Sequence, residues 1–291
     1  MGVVRLNAPR ETLSNAIQRV ALTNTQNINV HHDFRTGIQR AAQGIAAVDV
    51  KGMTYVFFVN SNHQLCYLFS PGPETDDYDP KVVELTDGDL KVKCGSRQIA
   101  AAAWQGGNGQ EIRIYCIAPE KRQCENKGYI REVSFSSSTG WEHGLLGYKE
   151  EGRPYVDKNA SLTACVHTWP DKTDIKVFAS EKGDNGRPKI TMHQYSYGHK
   201  KWLGKVISNK VSDWPVLAEV HRIAAIQCYR PAAEKYQLSL FRAGCNYECL
   251  SLSSCMVPTL AGNSSAGHFS QPKSLTYKGP MSPGSKANEA A

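Results

Sequence analysis

Residues 98–147 read QIAAAAWQGGNGQEIRIYCIAPEKRQCENKGYIREVSFSSSTGWEHGLLG, and the fold follows from them. Four strand-forming runs, 99–104, 112–117, 129–135 and one opening at Trp141, are separated by breaks rich in Gly, Asn and Ser. That is the pattern of antiparallel strands joined by tight turns. In Glu111-Ile112-Arg113-Ile114-Tyr115-Cys116-Ile117 apolar and polar residues partly alternate. One face is therefore predicted to be buried while Arg113 points elsewhere. A meander of four such short strands cannot bury its own apolar faces and needs copies of itself as neighbours.

The copies are present. Ile45-Ala46-Ala47-Val48, Ile99-Ala100-Ala101-Ala102, Leu162-Thr163-Ala164-Cys165 and Ile223-Ala224-Ala225-Ile226 open four segments at intervals of roughly 55 to 65 residues. Each opening is followed by a second run (54–60, 111–118, 174–180, 236–243) and a third (64–69, 129–135, 189–197, 247–253). Four-stranded units at a fixed period predict an all-β fold, a β-propeller of antiparallel blades. A solenoid of the same units would show more repeats and clearer caps. Five blades use most of the chain, the fifth being shared between runs 3–6, 17–23 and 28–34 and run 274–277, so that the termini close the ring and remove exposed edges. A six-bladed ring is the alternative and requires one degenerate blade. Residues 1–278 are thus expected to form one domain, with 279–291 a loose tail rich in small and polar residues.

The net charge of +7 is dispersed, its densest patch being Arg187, Lys189, Lys200 and Lys201, and no basic run alternates with aromatics. Nothing in this points to nucleic acid. No run of about 18 apolar residues occurs, so no membrane span is expected. The first residues lack the apolar core and cleavage site of a leader and the spacing of a myristoylation signal, which predicts a cytoplasmic protein unless a leader has been removed. The sequons at Asn159 and Asn263 bear on a secreted form alone.

The nine cysteines show no metal spacing: Cys245 and Cys249 have no matching Cys/His pair after them, and His31 and His32 point to opposite faces of a strand. Cys66, Cys94, Cys116, Cys165 and Cys228 suit small buried apolar positions. A hairpin disulfide between Cys116 and Cys124 is geometrically conceivable and would be reduced in the cytosol. Metal and cofactor are both expected to be absent, since no phosphate loop, nucleophile motif or paired-carboxylate motif appears.

The run Ile99-Ala-Ala-Ala-Ala-Trp104, with Ile112-Arg113-Ile114-Tyr115, Ile130-Arg131-Glu132 and Gly140-Trp141, resembles a blade of the fungal fucose-binding lectins, which are six-bladed propellers. The resemblance covers residues 44–260 and is strongest in 98–147. It implies a sugar held between blades by Arg113 and Glu132, with Trp141 packing on its apolar face. A charged pair offers directional hydrogen bonds to hydroxyls, and an aromatic face packs on C–H groups. An Arg113–Glu132 cross-strand ion pair beside a core tryptophan is the structural alternative.

The other segments depart from the pattern. Lys176 replaces the arginine in the third, where Gln194 takes the glutamate's place; the first has neither charge, and the fourth lacks the arginine but keeps Glu248. One intact set is weak support for a lectin acting by avidity. The hetero-Diels–Alderases of fungal tropolone–sesquiterpenoid pathways are similar to these lectins. That likeness implies a cofactor-free pericyclase joining a tropolone o-quinone methide to a humulene-type olefin. It would hold two apolar partners in a near-attack arrangement and polarise the methide with donors. Candidate catalytic residues are His167, Trp169, His193, Gln194, Trp104 and Tyr115. His167 and Trp169 lie two apart and so share a face. The alternative for these two is a satisfied interior histidine and a wedge between blades. The expected partners are apolar small-molecule substrates or a fucosylated glycan, and a homodimer is compatible with either.

Overall fold

A computed structural model describes residues 44–60, 62–72, 80–85, 90–92, 96, 98–107, 109–120, 126–168, 173–182, 188–196, 201–206, 222–230, 235–243, 249–258 and 273–276. These form strands and turns, with no helix among them. The first sheet is β1 (Ala46–Val50), β2 (Met53–Val59), β3 (Leu65–Ser70) and β4 (Lys81–Val82). The second is β5 (Ile99–Gly106), β6 (Gly109–Pro119), β7 (Lys127–Ser136) and β8 (Gly140–His143), with β9 (Tyr155–Asp157) also on β7. The third is β10 (Ser161–Thr168), β11 (Thr173–Lys182), β12 (Pro188–Ser196) and β13 (Lys201–Val206). The fourth is β14 (Arg222–Arg230), β15 (Lys235–Ala243), β16 (Cys249–Pro258) and β17 (Lys273–Thr276). Each is an antiparallel meander in chain order, and the first strands β1, β5, β10 and β14 lie side by side. These are blades of a propeller, and the four repeats read from the sequence coincide with the four sheets.

Alternation along each strand supplies the glue between blades. On β6, Ile112, Ile114 and Cys116 face the first sheet and pack with Tyr55, Phe57, Leu65 and Val83. Tyr115 and Ile117 face the other way and pack with Leu162, Ile175 and Val177 of the third sheet. Phe178, Ile190 and Met192 then meet Ile223, Leu238 and Leu240 of the fourth. Burying an Ile or Phe side chain of this kind is worth about 1.5–3 kcal/mol. The central strands of the second sheet are therefore apolar on both faces, and each sheet is stable only between neighbours.

One element differs from expectation. The pattern places run 274–277 in a fifth, ring-closing blade, whereas Lys273–Thr276 pairs with β16 as the outermost strand of the fourth sheet. An unpaired β16 would present a row of open backbone donors and acceptors, and β17 covers it. Runs 3–6, 17–23 and 28–34 and tail 279–291 lie outside the described residues. Among those described, no helix is long and apolar enough to cross a membrane.

Candidate functional site

The site starts from the same alternation. Glu111, Arg113, Tyr115 and Ile117 share the face of β6 that looks toward the third sheet, and Trp104 joins them because it pairs with Glu111 across β5 and β6. Arg113 Nη1 donates to Glu111 Oε2 at 3.0 Å, to the Ile112 carbonyl at 2.9 Å and to the Phe135 carbonyl at 3.4 Å. Its guanidinium lies 5.0 Å from the Trp104 ring centroid, and Nε stands 3.8 Å from Glu132 Oε1. The Arg113 side chain is 22% exposed, whereas that of Glu132 is 4% exposed. One charge is therefore presented to solvent and its partner is fixed beneath it.

Two donors hold the Glu132 carboxylate. Tyr115 Oη donates to Oε1 at 3.0 Å, and the Leu146 backbone N–H donates to Oε2 at 3.0 Å. Tyr115 is fully buried; burial raises its pKa well above the usual phenol value, and the neighbouring Glu132 charge adds to the rise. It remains a protonated donor. The Leu146 donor exists because β7 is longer than β8. Past His143 the chain turns back over β7, where Gly144 N–H donates to the Glu132 carbonyl and Leu146 accepts from Glu132 N–H.

Two glycines permit that approach. A Cβ on Gly144 would lie 2.2 Å from Glu132 Cγ, and one on Gly147, at φ +72°, would lie 2.2 Å from the Ile130 carbonyl oxygen. Gly144→Ala is expected to push the carboxylate off its two donors and to weaken any ligand held there about 10–100-fold, the loss of one or two charge-assisted hydrogen bonds. Calorimetric titration beside a thermal melt checks this, and the melt should fall as well, since the displaced carboxylate is buried.

The third sheet completes the site. The Trp202 ring meets Tyr115 edge-on at 5.9 Å and 80°, and Tyr195 lies 5.6 Å from Trp202. Sequence reasoning missed both residues. The signal available was the recurrence of a fourth-strand tryptophan, Trp141 in one repeat and Trp202 in the next.

Trp141 itself requires a correction. It pairs with Phe135, whose side chain faces away from that of Glu132, and it packs at 4.9 Å on Phe135, 5.5 Å on Tyr67 and 6.0 Å on Phe57. Trp141 thus closes the interface between the first and second sheets. Trp202 holds the corresponding place between the second and third sheets, against Tyr115.

Register revises the other comparisons. Arg113 pairs with Ser134 and Tyr115 with Glu132, whereas in the third sheet Lys176 pairs with Gln194 and Phe178 with Met192. Met192, rather than Gln194, is the counterpart of Glu132. His167 pairs with Asp174 as Trp104 does with Glu111. In the first sheet Tyr55 and Tyr67 stand where Arg113 and Glu132 do, and in the fourth Phe241 pairs with Leu252 at the Glu132 register. Glu248 lies outside the described residues. The basic–acidic–aromatic set is complete at one of the three described interfaces.

Five of the six catalytic candidates divide between the interfaces on the two faces of the third sheet. Trp104, Tyr115 and His193 belong to the interface with the second sheet, while His167 and Gln194 belong with Asp174 and Lys176 on the side of the fourth. Trp169 lies outside the described residues. His193 is packed against Gly204, and burial lowers its pKa to about 4. Its folded pKa sits below the unfolded value, so the unfolded chain binds the extra proton first. Stability is whole above about pH 6.5 and falls by up to about 3 kcal/mol as pH drops toward 4. Denaturant titrations at pH 7 and 4.5 should show this difference in the native protein and its absence in His193→Gln.

No family model matches the chain, and no curated protein matches it. Among solved structures it is similar to the fucose-specific lectin from Aleuria aurantia, at 17% identity and TM-score 0.46 over 80% of this chain and 78% of that one. It is similar also to an alpha-L-arabinofuranosidase from Lactobacillus brevis, at 11% identity and TM-score 0.48 over 78% and 70% of the two chains. An exo-beta-1,3-galactanase from Phanerochaete chrysosporium matches at 9% identity and TM-score 0.39, over 80% and 49%.

Proposed function

We propose that the protein is a carbohydrate-binding propeller that takes one terminal sugar of the fucose type between its second and third sheets. The observation carrying this reading is the convergence at one interface of Arg113, a buried Glu132 held by Tyr115 and Leu146, and the rings of Trp104 and Trp202. A guanidinium and a carboxylate side by side supply donors and acceptors to vicinal hydroxyls, and the rings suit the C–H face and methyl group of a deoxy sugar. Arg113 Nη2 meets no acceptor among the described residues, which leaves a donor for a hydroxyl.

The cycloaddition reading has less support. It asks His167, His193, Gln194, Trp104 and Tyr115 to surround a single apolar pair, and they face two interfaces, with Tyr115 fully buried. Titration with methyl fucoside, with methyl mannoside as control, should give one site per chain and no agglutination of red cells. Several sites would restore a multivalent lectin. No heat with any monosaccharide, together with turnover of a tropolone-methide precursor and humulene above the uncatalysed rate, would establish the pericyclase instead.

A further inference from the structure

Two carboxylates flank Arg113, and they differ in what they can still accept. Glu132 is closed: it is buried, Tyr115 Oη donates to Oε1, and the Leu146 N–H donates to Oε2. Glu111 is open. It stands two residues before Arg113 on β6, so both side chains leave the same face of the sheet. Its Oε2 accepts from Arg113 Nη1 at 3.0 Å, and its side chain is 18% exposed. Among the described residues no donor meets its Oε1, and that oxygen is not buried, so it stays open to solvent. The Trp104 indole edge lies in the same neighbourhood. A Cβ on Gly106 would stand 3.0 Å from Glu111 Cγ and 3.7 Å from Trp104 Nε1, so the glycine leaves room for both side chains.

The third sheet shows the same pair shut in. Asp174 and Lys176 hold the registers of Glu111 and Arg113, with side chains only 11% and 1% exposed, and both Asp174 oxygens are taken internally, by Lys176 and Gln194. At the second sheet one carboxylate oxygen and one guanidinium nitrogen remain open. An ordered ion pair with an open acceptor and an open donor matches a hydroxyl, which both gives and receives hydrogen bonds. We propose, resting on the sugar reading above, that Glu111 is the carboxylate that meets the ligand. Its Oε1 accepts a hydrogen bond from a sugar hydroxyl, while Glu132 positions Arg113 from beneath. This sets the ligand class. One guanidinium stands between two carboxylates, so the local charge is negative. The site takes a neutral saccharide and rejects one that carries a sulfate or carboxylate group.

The test is calorimetric titration of the full chain with methyl fucoside, its monodeoxy derivatives and its monosulfate ester. Glu111→Gln can still accept from Arg113 Nη1 but lacks the charge. It should bind methyl fucoside about 10-fold more weakly, with a melting temperature within about 3 °C of the native value. Glu111→Ala should lose more. One monodeoxy fucoside should bind Glu111→Ala and the native protein alike, because the missing hydroxyl and the missing carboxylate are the two ends of one hydrogen bond. The sulfate ester should bind the native protein at least about 10-fold more weakly than its parent, and the gap should narrow in Glu111→Gln. Equal affinity of native protein and Glu111→Gln for methyl fucoside would overturn the assignment and leave the sugar reading standing. So would a loss in Glu111→Ala of one size for every monodeoxy derivative, which would make Glu111 a positioning residue for Arg113. A sulfate ester bound as tightly as its parent would overturn the ligand class. A native protein that binds no methyl fucoside would overturn the sugar reading, and the assignment with it.

Discussion

Replacing Asp174 by alanine is expected to lower the free energy of unfolding by about 3–5 kcal/mol, the cost of leaving a buried charge without its partner. Lys176 is 1% exposed, and its ammonium pairs with Asp174 Oδ2 while Gln194 Nε2 donates to Oδ1 at 2.9 Å. Nothing else among the described carboxylates is in reach of Lys176. Urea denaturation measures the loss. The double change Asp174→Ala, Lys176→Met should recover most of it, because an apolar side chain of similar length then fills the space without a charge. A loss below about 1 kcal/mol for the single variant would mean that the ammonium reaches water and that the pair behaves as a surface one.

The second large effect is on ligand binding. Arg113→Lys keeps the charge but loses the planar fork and the stacking on Trp104, and it is expected to remove fucoside binding by about 100-fold or more. Glu132→Gln should do the same for a different reason. An amide has one acceptor and no charge: with its oxygen on the Leu146 N–H, its NH2 donates to Tyr115 Oη, whose buried O–H then loses its acceptor, and the carboxylate charge beside Arg113 is gone. That mismatch should also cost about 1–3 kcal/mol of stability. Trp202→Ala should weaken binding with little effect on Arg113 and Glu132, whereas Trp141→Ala should destabilise the fold and leave sugar affinity unchanged. Titrations that found Trp141→Ala defective in binding and Trp202→Ala normal would return the aromatic role to Trp141.

Lys176 and Arg113 illustrate how much one position can change in meaning. Both sit at the same register, beside Asp174 and Glu111 respectively. The arginine reaches over Trp104 toward solvent, while the shorter lysine turns inward to the Asp174 carboxylate, whose other oxygen accepts from Gln194. With Lys176 in place of the arginine and Met192 in place of the glutamate, the same register carries a buried ion pair.

The sequence alone determined that this chain is all-β and where the twelve principal strands of four repeats run. These follow from local causes: alternation sets which residues share a face, and Gly-, Asn- and Ser-rich breaks set where strands end. Tertiary structure decided which neighbour each face meets. Trp141 and Trp202 look alike in sequence, and only the packing of one sheet on the next assigns Trp202 to the Arg113 site and Trp141 to an aromatic cluster with Phe57 and Tyr67. The choice of Met192 over Gln194, and of Lys273–Thr276 as partner of β16, likewise depended on register. Register is fixed by hydrogen bonds between segments distant in the chain and by apolar faces that only a neighbouring blade can bury, neither of which any single strand encodes.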